Sequence, residues 1–113
     1  GSNTNEGIWM KYYFVLKGNL IFYYEDEQAF VKNPSKPINM RLPIDLNGYE
    51  LKKGSVNAVV PFVFTLYPLS SENKKKKVSS FRCNDEVDLN HWTERIQEVL
   101  DEIHERELAK EFM

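Results

Sequence analysis

Cysteine is nearly missing from these 113 residues: Cys83 stands alone, so no internal disulfide can form and a reducing compartment is the expected home. Histidine is almost as scarce. With Cys83, His91 and His104 as the only soft ligands, no structural zinc site is expected, and Cys83 reads as a small hydrophobe at a strand end. No apolar run approaches the ~18 residues that cross a bilayer, so any membrane role is peripheral. There is no phosphate-cradling glycine-rich loop, no nucleophile elbow and no histidine set among polar partners. These absences point away from an enzyme and from any cofactor or metal.

What is present belongs to a folded protein. Apolar residues make up 42% and aromatic residues 13% of the chain, enough for one core at this length. One domain over residues 1–113 is expected: loose chain over 1–7, strands over 8–83 and a helix over 85–108. Gly1-Ser2 looks like the scar of a cleaved tag. Ile8 to Lys17 and Asn19 to Glu25 are dense in aromatic and β-branched residues around Gly18, which predicts an antiparallel hairpin. Gln28 to Lys36 predicts a loop with a turn of helix, closed by Pro34 and Pro37. Pro37 to Leu46 predicts a third strand, with Pro43 at an edge or bulge. Asn47-Gly48 marks a turn before Tyr49 to Leu51 and Val56 to Val60, pieces of one irregular strand. Pro61 to Tyr67 alternates, with Phe62, Phe64 and Leu66 on one face, and Val78 to Cys83 predicts the last strand. Asp85 (or Asn84) is a good N-cap, and Leu89, Trp92, Ile96, Val99, Leu100 and Ile103 form one apolar stripe.

The order of these pieces resembles a pleckstrin homology (PH) domain. Trp9-x-Lys11-x-Tyr13-Phe14-Val15-Leu16 looks like the family's second strand and Asn19 to Tyr24 like its third. Pro43 to Leu46 resembles the end of the fourth, Phe62 to Leu66 the sixth, Phe81-Arg82-Cys83 the seventh, and Trp92 the helix tryptophan. The resemblance implies a mainly β fold: two near-orthogonal antiparallel sheets capped by one C-terminal helix. The family's first strand should precede Trp9. Only a few polar residues lie there, so that strand is expected to be absent, leaving an unpaired edge through which a second copy could pair.

Charge is unevenly spread. Residues 85–113 carry ten acidic and three basic side chains, a net of -7, so residues 1–84 carry +5 of the total of -2. Such polarity turns one end of a protein toward an anionic surface. The resemblance places Lys74, Lys75, Lys76 and Lys77 in the loop between the sixth and seventh strands, with Lys36 and Arg41 in the loop between the third and fourth. Together they imply a basic rim for anionic phospholipid on the cytosolic face of a membrane. Tyr23 matches a third-strand tyrosine that hydrogen-bonds a headgroup phosphate, and Ile8 and Trp9 stand where an apolar wedge could enter the bilayer. The positions where tight phosphoinositide binders place basic side chains are Met10 and Tyr12. Recognition of headgroup charge (phosphatidic acid or a phosphoinositide) is therefore expected, as in the acylated PH proteins that sense phosphatidic acid. The alternative is a protein-interaction domain that uses the strand edge or the acidic helix around Glu94, Glu98 and Glu105. Nucleic acid is not an expected partner, because the acidic segment would repel it.

Overall fold

The computed structural model describes residues 2–5, 8–38, 42–54, 60–70 and 76–112, with 2–5 and 8 described through their backbone. Among these residues, eight strands and two helices follow in the order β1 (Ser2–Asn5), β2 (Ile8–Lys11), β3 (Tyr13–Lys17), β4 (Leu20–Tyr24), α1 (Glu27–Lys32), β5 (Ile44–Asp45), β6 (Tyr49–Lys53), β7 (Val63–Pro68), β8 (Ser79–Arg82) and α2 (Glu86–Glu111). They form two antiparallel sheets, β2-β1-β8-β7-β6 and β3-β4-β5, with α2 packed chiefly on β6 and β7.

The predicted hairpin is present but its first strand is shared between sheets. β2 pairs with β1 while β3 pairs with β4, and Tyr12 is the joint between them. Gly18 has φ of 60°, and Asn19 is not among the residues of positive φ, the pattern of a type II′ turn matched to strand twist. An aromatic ladder then ties the two sheets together. Tyr23 and Phe14 lie with centroids 4.9 Å apart, Phe14 and Phe81 5.2 Å, and Phe81 and Phe64 5.0 Å. Ile21, Leu46, Leu66 and Ile96 fill the space around it, all under 2% exposed.

The first strand, expected to be absent, exists, and residues 2–5 are not loose chain. Ser2–Asn5 lies between β2 and β8, with Ser2 opposite both Lys11 and Arg82. A strand laddered on both edges is held by its backbone, so the polar Ser-Asn-Thr-Asn sequence hid it. Among the described residues of the expected third strand only Ile44–Asp45 is a strand, and Pro37 and Pro43 each lack a ladder donor. α1 is a full six-residue helix, capped by the Asp26 carboxylate, which accepts from the Ala29 N–H at 2.7 Å. The expected second piece of the irregular strand, from Val56, falls mostly outside the described residues.

β7 is buried on both faces. Val63 and Thr65 are as hidden as Phe64 and Leu66, so its alternation separates directions and not polarities. The Thr65 hydroxyl donates to the Gly54 carbonyl at 2.7 Å and lies 2.9 Å from the Ser80 hydroxyl, which satisfies the polar groups hidden there. α2 begins at Asp85, whose carboxylate accepts from the Asp88 N–H at 2.8 Å, while Asp88 accepts from the Asn84 N–H at 3.1 Å. Acidic residues in its first turn and Lys110 in its last match the helix dipole.

Candidate functional site

The Asn47-Gly48 turn between β5 and β6 anchors the first cluster. Gly48 has φ of 90°, and a Cβ there would stand 3.1 Å from Lys76 Cε. The Lys76 chain lies across the glycine because its ammonium has two partners beyond. It donates to the Asp45 carbonyl at 3.1 Å and sits 4.8 Å from the Tyr49 ring centre. Tyr49 in turn donates its hydroxyl to the Lys77 carbonyl at 2.9 Å, and burial pushes its pKa above 10.0. Lys77 is thereby pinned by its backbone while its side chain is exposed. Leu69, bonded through its N–H to the Gly48 carbonyl at 2.8 Å, is 66% exposed, and Val78 is 50% exposed. Two amines and two bare aliphatic side chains therefore flank one turn.

Ile8 and Trp9 share this end of the larger sheet. β1 runs from Arg82 toward the start of β8, and Ile8 is opposite Asn5 at its far end. Two strand spacings, about 10 Å, separate β2 from β8. Trp9 is half-buried. Lys36 lies elsewhere. The Ile38 N–H is bonded to the Tyr23 carbonyl, whereas Asp45, which holds Lys76, pairs with Leu20. Those two points are about 10 Å apart along β4, so the backbone near Lys36 and the Lys76 amine are not brought together. Tyr23 is 5% exposed, with its ring against Phe14 and, at 5.6 Å, Tyr12. It stands in the core. Arg41, Lys74 and Lys75 fall outside the described residues.

The opposite end is acidic. Lys11, Tyr12 and Tyr13 face Glu25, Asp26, Glu27 and Asp88 across a groove of about 590 Å³ that Asn84 and Trp92 also line. It joins a second hollow of about 250 Å³ beside β3, bordered by Phe30, His91, Trp92 and Arg95. The run Glu25-Asp26-Glu27 was legible as the end of a strand, but its approach to Asp88 of α2 comes from tertiary packing. Leu69 and Val78 also carried a signal, as apolar residues beside a polar lysine-rich stretch.

Reactive chemistry has little support. Burial, with the nearby Asp88 and Asp85 charges adding to it, pushes the Cys83 thiol up to about 11, the reverse of an activated nucleophile. Among the described residues no group of three His, Cys, Asp or Glu side chains is placed to hold a metal ion, and no helix is long and apolar enough to cross a membrane.

A family model described as PH domain matches residues 1–101. Three human solution structures are similar in fold. The pleckstrin homology domain of KIAA0053 protein shares 21% identity at a TM-score of 0.64, over 87% of this chain and 81% of that one. The PH domain of oxysterol binding protein-related protein 11 shares 20% identity at 0.66, over 94% and 82%. That of pleckstrin homology domain-containing protein family A member 5 shares 16% at 0.63, over 87% and 70%. No curated protein sequence gives a significant match.

Proposed function

This chain belongs to the PH domain family, a family of lipid- or protein-interaction modules, and from that premise we propose that it recruits its parent protein to anionic phospholipid at a cytosolic membrane surface. The observation that carries the reading is the polarity of the sheets. Lys76, Lys77, Leu69 and Val78 stand before β8, at the end of the sheet where β2 begins with Ile8, while Asn84 and Asp88 follow its end. β8 holds the two groups about 13 Å apart.

Lys76 spends one of its three donors on Asp45 and keeps two for phosphate oxygens. The Lys77 side chain is exposed, with no hydrogen bond or ion pair among the described residues, and Lys74 and Lys75 adjoin the pair in sequence. Four lysines near an anionic surface give about 4 kcal/mol. Shielding Leu69 and Val78 in the interface adds about 2 kcal/mol. The sum of about 6 kcal/mol corresponds to tens of micromolar, a reversible association. Recognition in this reading is of headgroup charge, as in phosphatidic acid or a phosphoinositide. The lysine pair and the wedge of Ile8 and Trp9 carry it. Lys36 would act as a separate contact, Arg41 adds a further cation in sequence, and the buried Tyr23 would add at most its hydroxyl.

Liposome co-sedimentation tests this, comparing phosphatidylcholine alone with phosphatidylcholine containing phosphatidic acid or a phosphoinositide. Lys77→Glu is the informative variant, because Tyr49 uses only the carbonyl of that residue. Binding to anionic vesicles should fall about tenfold or more in Lys77→Glu. Equal binding by the variant and the parent chain would reject the lysine cluster as the lipid contact.

A further inference from the structure

The Lys77 carbonyl is held from two strands away. The register of β7 and β8, from Val63 opposite Arg82 to Leu66 opposite Ser79, continues to Pro68 opposite Lys77, and β6 sets Tyr49 opposite Pro68. The Cys83 N–H donates to the Phe62 carbonyl at 2.7 Å, so the hydrogen-bonded pairs of this ladder are 62/83, 64/81, 66/79 and, next, 68/77. At that last step the ladder has no donor, because proline has no N–H. Among the described residues no backbone–backbone hydrogen bond reaches 76–78. The Tyr49 hydroxyl takes the place of the missing donor and donates to the Lys77 carbonyl at 2.9 Å. The same ring, 8% exposed and so fixed in the core, lies 4.8 Å from the Lys76 ammonium.

On the premise that anionic lipid is the ligand, we infer that Tyr49 is the positioning residue of the lysine pair. Its hydroxyl, standing in for the N–H that Pro68 lacks, holds the Lys77 backbone so that the Lys77 amine meets a phosphate already ordered. Without this tether, residues 76–78 enter the complex from many conformations, and ordering them opposes binding. The tether acts on the backbone and the amine acts on the phosphate. The hydroxyl therefore matters to binding only while the amine of Lys77 is present.

Binding to phosphatidylcholine vesicles containing phosphatidic acid is measured for the parent chain, Tyr49→Phe, Lys77→Ala and the double variant, with thermal unfolding of each alongside. Tyr49→Phe keeps the ring beside Lys76 and loses only the hydroxyl. It should weaken binding of the parent chain about three- to tenfold and leave binding of Lys77→Ala unchanged. A merely structural role would weaken both alike. Pro68→Ala, which restores an N–H opposite the Lys77 carbonyl, should recover part of the loss in Tyr49→Phe. Equal weakening by Tyr49→Phe in both backgrounds, or none in the parent chain, would overturn the role of Tyr49 and leave the lipid reading in place. No recovery by Pro68→Ala would overturn it too. A parent chain that binds no anionic vesicle would reject the lipid reading itself, and the role of Tyr49 with it.

Discussion

Gly48 and Lys76 form the smallest unit with a functional consequence. The turn needs positive φ, which costs a residue with a Cβ about 1–2 kcal/mol, and the Lys76 chain occupies the space that Cβ would enter. Gly48→Ala should therefore lower unfolding free energy in urea by about 2 kcal/mol. In a Lys76→Ala background the same change should cost less, since the backbone term remains and the contact is gone. Equal costs in the two backgrounds would show that the lysine does not cross the glycine. Titration gives a second residue-scale expectation. The Cys83 thiol has an ordinary value of 9.0 and a folded value of about 11, so between those values the unfolded chain has lost a proton that the folded chain keeps. Stability therefore falls as pH rises through this window, and the raised Tyr49 phenol acts in the same direction. Urea midpoints taken from neutral to alkaline pH should show the decline, and Cys83→Ser should reduce its slope. At pH 8 alkylation of Cys83 in the folded chain should be much slower than in urea.

At the scale of elements, α2 rests on a cap and one fully buried side chain. Asp85→Ala removes the acceptor for the Asp88 N–H and should cost about 1 kcal/mol in thermal or urea unfolding. Ile96 is 0% exposed, whereas Trp92 is half-buried and lines the hollows beside β3. Ile96→Ala should therefore cost about 2–5 kcal/mol, the full range for an aliphatic core truncation. Trp92→Ala should cost less than its size suggests, because part of the ring faces a hollow. Intrinsic tryptophan fluorescence and urea curves separate the two outcomes. Trp92 was nonetheless the right residue by which to read the helix, since periodicity reports the face and not the depth of each member. The hairpin around Gly18, the Asn47-Gly48 turn and the stripe of α2 were legible for the same reason: each is encoded by neighbours in sequence. β1 was not legible, because backbone pairing on both its edges needs no apolar signature. The break at Tyr12 was also hidden, since strand periodicity continues through it. Of the candidate site, the lysine run could be read directly. Its partners Asp45 and Gly48, and the distance of Lys36 from it, depend on how β4, β5 and β8 are brought together.

Over the whole molecule, charge is sorted along the strands. The described lysine pair stands before β8 and the carboxylates of the groove beyond it, and α2 adds its own acidic face. At about 0.1 M salt the Debye length is about 10 Å, shorter than the span of β8, so an approaching membrane feels the nearer end and not the net charge of -2. This argues that orientation, and not total charge, governs lipid association. Reversing Glu94, Glu98 and Glu105 to lysine tests it, since all three are exposed on α2. Only the Glu98 pair with Arg95 is lost among described ion pairs, at a cost of a few tenths of a kcal/mol. Each reversal adds two charges, so net charge moves from -2 to about +4. Anionic vesicles should then bind the triple variant by two faces, and adding Lys77→Glu should weaken it far less than it weakens the parent chain. If Lys77→Glu weakens both to the same extent, the helix face never meets the membrane and the lysine end alone makes the contact. If Lys77→Glu weakens neither protein, the lysine end is not the contact and the charge argument for it fails.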